Sequence, residues 1–442
     1  MKNFPLTKIV NKVKSDRFLT NSTIFFMGSF LASFGNYVFH FLMARMLSVG
    51  GYGELQSLIA VSAVFGIPIA ALTTVLVQRT AHFKAREQQN KIYSLFLLFT
   101  RKILIIAGSF LAIFFLLNKL IANFLNLATG LPVIILGIGF LPGFLSSVNR
   151  GIIQGLQKFK SASIISIVEI SFKVLLAVLL VKAGLAINGV MGAIVLAALI
   201  GYFIALLPLR FLLKNKSSFA SVFVRILKGK KASGDKEEKI NTKETFRFFF
   251  PVLFTVLFLS LLFNIDVILV KHFMLAHTAG EYGALALIGH IIIFLGGPIM
   301  GVMFPMSAAA HSNNKNPTKV FKKTIFLVSL MGLGTLFFYF LFPNFVIKIL
   351  VGSKFLAINK FLGWFGVSMF FYSLIHLFSL YFLSIRKTKC FYLLGVGVLL
   401  QVILISSWHN NLWQIVWIMN GVMFVTLTLL AIYYKRTKGD YA

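Results

Sequence analysis

Two carboxylates, Glu169 and Asp266, lie within long apolar stretches, whereas the other acidic residues fall between or at the ends of such stretches. A charge at the centre of a bilayer costs at least ~2.5–3.5 kcal/mol on insertion scales, so it is expected to face a bundle interior or a water-filled cavity. Glu169 and Lys173 are four residues apart, hence on one face of a helix and able to pair. The pair reads either as a self-neutralised element packed inside a bundle or as part of a cavity wall. Asp266 has only Lys271 and His272 as nearby cations, five and six residues on. It reads as a proton or sodium site, or as a polar anchor bonded to neighbouring helices.

No familiar catalytic spacing accompanies these groups. The chain has no Gly-x-x-x-x-Gly-Lys-Ser/Thr phosphate loop, no His-Glu-x-x-His and no nucleophile elbow. Its one cysteine, Cys390, has no partner within the chain and reads as a buried apolar filler. No enzymatic activity, metal site or cofactor is expected, although Na+ or H+ could be a coupling ion at Asp266. The loops are too short to fold a glycosyltransferase domain.

What must position these groups is a chain built for lipid. It is 58% hydrophobic and 12% charged, against about 45–50% and about 25% in soluble domains. A spanning helix needs about 20 apolar residues. Charge-free intervals of that kind run from Arg17 to Arg45, Glu54 to Arg79, Lys119 to Arg150, Lys182 to Arg210, Arg247 to Asp266 (the span extending to about Lys271), Glu281 to Lys315, Lys323 to Lys348 and Lys360 to Arg386. Lys389 to Lys435 holds two, split at Ser406–Asn411, and weaker spans cover 103–117 and 162–181. About 12 transmembrane helices are expected in an all-α integral membrane protein. The first apolar run is too long for a cleavable signal and should remain as a helix.

A net charge of +32 could suggest nucleic acid, but the cations sit in short clusters between apolar runs, not on a soluble face. With the N-terminus inside, 35 of the 43 Lys and Arg fall on the cytoplasmic side and seven outside, with Lys173 within a span. That bias predicts a multi-pass protein of the cytoplasmic membrane with both termini in the cytoplasm. A basic segment, 213–246, divides six spans at 1–212 from six at 247–442. It reads as a solvated linker, with anionic lipid headgroups as the functional alternative.

The halves repeat at an offset of 230 residues. Gly50 aligns with Gly280, Tyr52-Gly53-Glu-Leu55 with Tyr282-Gly283-Ala-Leu285, and Gly66-Ile-Pro68-Ile69 with Gly296-Gly-Pro298-Ile299. Asn36 falls on Asp266, so the halves are electrically inequivalent. Six spans per copy is an even number, so the copies enter the membrane in one direction, as parallel repeats about an axis along the membrane normal. Two such bundles around a central cavity suit alternating access. Pro68 and Pro298 are hinge candidates, or static kinks, within their spans.

Three segments carry a family resemblance. They are Ala44-Arg-Met-Leu-Ser-Val-Gly-Gly-Tyr-Gly-Glu-Leu55, Asn149-Arg-Gly-Ile-Ile-Gln-Gly-Leu-Gln-Lys-Phe159, and Asn264-Ile-Asp-Val-Ile-Leu-Val-Lys-His-Phe273 with Gly280-Glu-Tyr-Gly283. The chain resembles the Wzx-like oligosaccharide flippases of polysaccharide biosynthesis, in the multidrug/oligosaccharidyl-lipid/polysaccharide (MOP) exporter superfamily. The resemblance implies two six-helix lobes and a polyprenyl-pyrophosphate-linked glycan as cargo, carried to the outer leaflet for cell-surface polysaccharide or lipopolysaccharide synthesis. The lipid II branch of that superfamily has an arginine-and-aspartate pattern in its first helix, and span 1 here carries neither residue. Membrane lipids, a glycan polymerase and glycosyltransferases are the implied partners; nucleic acid is not. A cation-coupled multidrug exporter of the same superfamily is the alternative, and a membrane-embedded glycan polymerase a more distant one.

Such an anionic cargo needs cationic donors. Arg45, Lys173, Lys271 and His272 are the candidates, with Asn36 and Glu169 beside them and His40 and His290 as weaker ones. Arg45 and Lys271 have an equally simple reading as headgroup-level anchors. Arg79, Arg150 and Lys158 would lie at the cytoplasmic mouth, as topology signals or as first contacts for a headgroup.

Overall fold

The computed structural model describes residues 17–211, 242–312 and 316–438. Most of the expected linker, residues 213–241, lies outside them. The described chain is nearly all helix, and nine stretches in it are long and apolar enough to cross a membrane by length and composition. The longest, Phe159–Leu209, reverses through a turn at Gly184 (φ +86°) and Ala186 (φ +42°), so it forms two helices that pack on each other. The protein is a multi-span helical membrane protein.

Two packed units make up the chain. The first holds the described residues of Met1–Met43, Pro68–Ala122 and Ala128–Glu237. It contains most of α1 (Arg17–Met46), α3 (Ile67–Ala85), α4 (Gln89–Leu116), most of α5 (Asn118–Phe124), α6 (Leu131–Gly155), α7 (Phe159–Leu180) and α8 (Ala186–Leu206). Helix α6 packs between α4 and α8, and α8 also packs on α7. Small residues let α1 approach α7: a Cβ on Gly28 would stand 2.2 Å from Ser163 Cβ, and one on Gly35 would stand 2.9 Å from Ile170 Cγ1. Each contact recurs seven residues on in both helices, so α1 and α7 run in one direction with a close seam of the kind small residues permit.

The second unit takes Ala44–Ile67 and Asn123–Leu127 together with the chain after Glu238. Its helices are α2 (Val49–Phe65), α9 (Thr242–Phe273), α10 (Ala276–Gly289), α11 (Ile291–Ser312), α12 (Thr318–Leu341), α13 (Pro343–Leu350), α14 (Asn359–Ser384), α15 (Cys390–Ser407) and α16 (Leu412–Lys438). Helix α14 packs against α11, α12 and α16, and α15 bridges α9 and α16. Cys390 is buried at the start of α15.

The duplicated glycine motif forms the seam between α2 and α10. Gly50 faces Ala276, Gly53 faces Gly280, and Gly283 faces Gln56. These pairs advance together along both helices, so the two copies of the motif run in the same direction. Tyr52 and Tyr282, the matched tyrosines, are both fully buried in this unit.

Candidate functional site

In the first unit the α1–α7 seam brings Asn36 to Lys173. The Lys173 ammonium donates to Asn36 Oδ1 and stands 4.1 Å from the centre of the Phe39 ring. An amide oxygen and a ring face offer partial negative charge without cancelling the cation. The helical spacing allowed Glu169 to neutralise Lys173; Glu169 instead forms its ion pair with Arg150 of α6. Gly201 of α8 makes room for that carboxylate, since a Cβ there would lie 2.6 Å from Glu169 Oε2. Arg150 is therefore paired with a carboxylate of a neighbouring helix, with its side chain still one-third exposed.

Two cations at helix ends brace the same unit: Lys84, and Lys158 of the three residues expected at a cytoplasmic mouth. Lys84 Nζ donates to Leu156 O at 2.8 Å, and Lys158 Nζ donates to Pro208 O at 2.7 Å. Each ammonium meets carbonyls left unpaired at the end of another helix, where the dipole favours a cation. Burial, and then the nearby Lys84, lowers the Lys158 pKa from its ordinary value.

Asp266 and Asn36, equivalent by repeat, have diverged. Asp266 on α9 is fully buried and accepts a 2.6 Å hydrogen bond from Tyr282 Oη of α10. Around it, Tyr372 Oη donates to Leu259 O at 2.9 Å, and the His290 ring stacks on Phe263 with centroids 3.8 Å apart. Such a carboxylate in an apolar, hydrogen-bonded surround can act as an anchor or exchange a cation. Tyr282 completes this site, and the repeated Gly/Glu-Tyr-Gly motif was its signal in the sequence.

Arg45, Lys271 and His272 occupy matching braces. At the end of α1, Arg45 donates to the carbonyls of Lys348 (2.9 Å) and Ile349 (3.2 Å), which end α13. In return Lys354 donates to Arg45 O at 2.9 Å and to Leu47 O. At the end of α9, His272 Nδ1 donates to Phe124 O at 2.6 Å, at the end of α5, and its ring stacks on Phe124. Asn126 Nδ2 donates back to His272 O at 2.6 Å, and Lys271 Nζ donates to Asn126 O at 3.1 Å. Lys271 is only 1% exposed. In each brace the short helix of one sequence half is tied to the first helix of the other. Lys354 and Asn126 do this by contacts remote in sequence, and no local pattern marks them.

The hinge candidates differ from one another. Helix α2 ends at Phe65, with Gly66 N bonded to Ser62 O at 2.9 Å, and Pro68 is the second residue of α3. There its missing N–H costs no helical bond. The boundary between the two packed units also falls at Ile67 and Pro68. Pro298 lies inside α11, eight residues beyond a helix break at His290. His40 is largely buried and meets Phe39 edge to face.

Residues 18–311 match the family described as "Polysaccharide biosynthesis protein". An uncharacterized membrane protein of Methanocaldococcus jannaschii is 26% identical over 326 residues, covering 72% of this chain and 75% of that protein. The fold resembles a multidrug resistance MATE family transporter of the MOP superfamily in its inward-facing conformation, with TM-score 0.70, 13% identity, and coverage of 93% and 94% of the two chains. It also resembles the lipid II flippase MurJ in an inward closed conformation, with TM-score 0.67, 14% identity, and coverage of 93% and 87%. A MOP superfamily transporter from Pyrococcus furiosus gives TM-score 0.55 at 16% identity, with 95% of each chain covered.

Proposed function

We propose, for a chain that belongs to the polysaccharide biosynthesis protein family, that it carries a polyprenyl-pyrophosphate-linked oligosaccharide from the cytoplasmic to the outer leaflet by alternating access. The protein is a membrane transporter of the MOP fold. In this reading both termini are cytoplasmic, and the glycan is handed on to a polymerase or glycosyltransferase outside. The sequence halves 1–212 and 247–442 supply the two lobes in this reading, although Ala44–Ile67 and Asn123–Leu127 of the first half pack with the second unit.

The observation that carries the proposal is Lys173, a half-buried cation in an apolar span whose direct partner is the neutral Asn36. Arg150 already answers Glu169, so positive charge is left at membrane depth where a passing pyrophosphate could use it. A lysine acts there as a point charge, holding a phosphate without the fixed geometry of a bidentate clamp.

The test uses purified protein in liposomes and a fluorescent polyprenyl-pyrophosphate sugar followed between leaflets. Lys173→Ala should slow movement at least tenfold with little loss of folded protein, and Lys173→Arg should restore part of it. Normal flux with Lys173→Ala would remove this residue from the pathway. A second reading, a Na+- or H+-coupled exporter of small molecules, draws on the buried Asp266–Tyr282 pair. Ion-driven dye efflux without lipid movement would favour it.

A further inference from the structure

The brace between α1 and α13 does more than close a contact. A cavity of about 480 Å³ opens beside it, lined by Arg45, Lys348, Gly352, Ser353 and Lys354. Three of the five lining residues are cations and none is acidic. Two of them are held in place: the Arg45 guanidinium by the carbonyls of Lys348 and Ile349, and the Lys354 ammonium by those of Arg45 and Leu47. Anchored side chains have already lost the rotamer freedom that a ligand would otherwise have to remove. Gly352 adopts φ +100°, and a Cβ there would lie 3.4 Å from Arg45 Cγ, so glycine keeps this wall of the pocket low.

The charge distribution argues against a topology signal. In the proposed orientation only seven Lys and Arg face outward, against 35 on the cytoplasmic side. Three of those seven meet in this one cavity. Lysine and arginine placed against the positive-inside bias need another reason to be there. Arg45 and Lys348 lie in the last turns of α1 and α13, and Lys354 follows α13 directly; in the proposed orientation these helix ends would stand at the depth of lipid headgroups.

We propose that this pocket binds a phosphate group presented at the outer membrane surface. The inference takes its orientation from the functional reading above. Guanidinium and ammonium groups together match phosphate oxygens through charge-assisted hydrogen bonds, and the Ser353 hydroxyl can add another. Two molecules present this chemistry at that depth: an anionic phospholipid, and the pyrophosphate of a delivered lipid-linked glycan.

The test is calorimetric binding to the purified full-length chain in detergent, with inorganic pyrophosphate, dihexanoyl phosphatidylglycerol and dihexanoyl phosphatidylcholine as probes. Saturable binding is expected for at least one of the first two and not for phosphatidylcholine. Stronger phosphatidylglycerol binding identifies a phospholipid site, and stronger pyrophosphate binding a site for the glycan carrier. Lys348→Gln should weaken binding at least fivefold, while Lys119→Gln, an outer cation elsewhere, should change it less than twofold. If Lys348→Gln folds poorly, Ser353→Asp supplies the second variant, and its carboxylate should abolish binding. Absent saturable binding, or equal weakening by Lys119→Gln, overturns the proposal. Liposome flux separates the two readings: phosphate binding that depends on Lys348 but occurs without glycan movement keeps this pocket and sinks the flippase assignment. Glycan movement without binding does the reverse.

Discussion

Gly280→Ala offers the sharpest test of the α2–α10 seam. Helix propensity alone predicts that this change stabilises, since Gly in a helix interior is about 1 kcal/mol worse than Ala. The packing predicts the opposite sign. A Cβ on Gly280 would stand 1.9 Å from Val49 O and 2.5 Å from Val49 C, where ordinary van der Waals contact begins at 3.4 Å. Relief requires the two helices to part by about 1.5 Å, because the obstacle is backbone and cannot rotate away. A gap of 0.5–1 Å already forfeits a quarter to a half of each dispersion contact, here along a seam flanked by the buried Tyr52, Leu55, Tyr282 and Leu285. Overpacking of this kind costs about 1–3 kcal/mol, and the top of that range is expected. The assay is thermal unfolding in detergent, read by the loss of the monodisperse peak in size-exclusion chromatography. Gly297→Ala is the control, since nothing lies within 4 Å of its Cβ position, and it should match or slightly exceed the native midpoint. Adding Val49→Ala to Gly280→Ala should not rescue it, because the nearest atom is a carbonyl oxygen. A Gly280→Ala midpoint at or above the native one would refute the seam.

Three further outcomes follow from the polar contacts. Glu169→Gln should lower stability by about 1–3 kcal/mol by leaving the Arg150 guanidinium without its carboxylate; the double change with Arg150→Gln should recover part of this in a double-mutant cycle, and additive losses would deny the pairing. Asp266→Asn retains an acceptor for Tyr282 Oη, so folded yield should persist while any Na+ or H+ dependence of transport disappears; an unchanged ion dependence would leave Asp266 as an anchor only. Asn126→Ala should speed hydrogen exchange in residues 123–127, with the loss of its bond to His272 O costing about 0.5–1.5 kcal/mol; unaltered exchange would show that the stacked His272 and Phe124 rings hold the segment alone.

Much of the architecture was legible in the chain because lipid imposes a simple code. Charge-free runs mark spanning helices, since a backbone in hydrocarbon must satisfy its own hydrogen bonds. The repeat at 230 residues was equally readable, and the parallel advance of Gly50, Gly53 and Gln56 against Ala276, Gly280 and Gly283 matches the shared direction expected of the two copies. The isolated carboxylates Glu169 and Asp266 also announced themselves by their cost. What spacing could not decide was partner choice. Glu169 could reach Lys173 along its own helix, yet a closer cation arrived from α6, and Lys173 turned to Asn36 across the α1–α7 seam. Nor could it show that Arg45 and His272 would meet carbonyls at the ends of α13 and α5, some 303 and 148 residues away in sequence. Periodicity reports which face of a helix is apolar, because burial follows local pattern. Which polar group finds which depends on how helices distant in the chain are brought together, and that is settled only by close packing through the small residues of their seams.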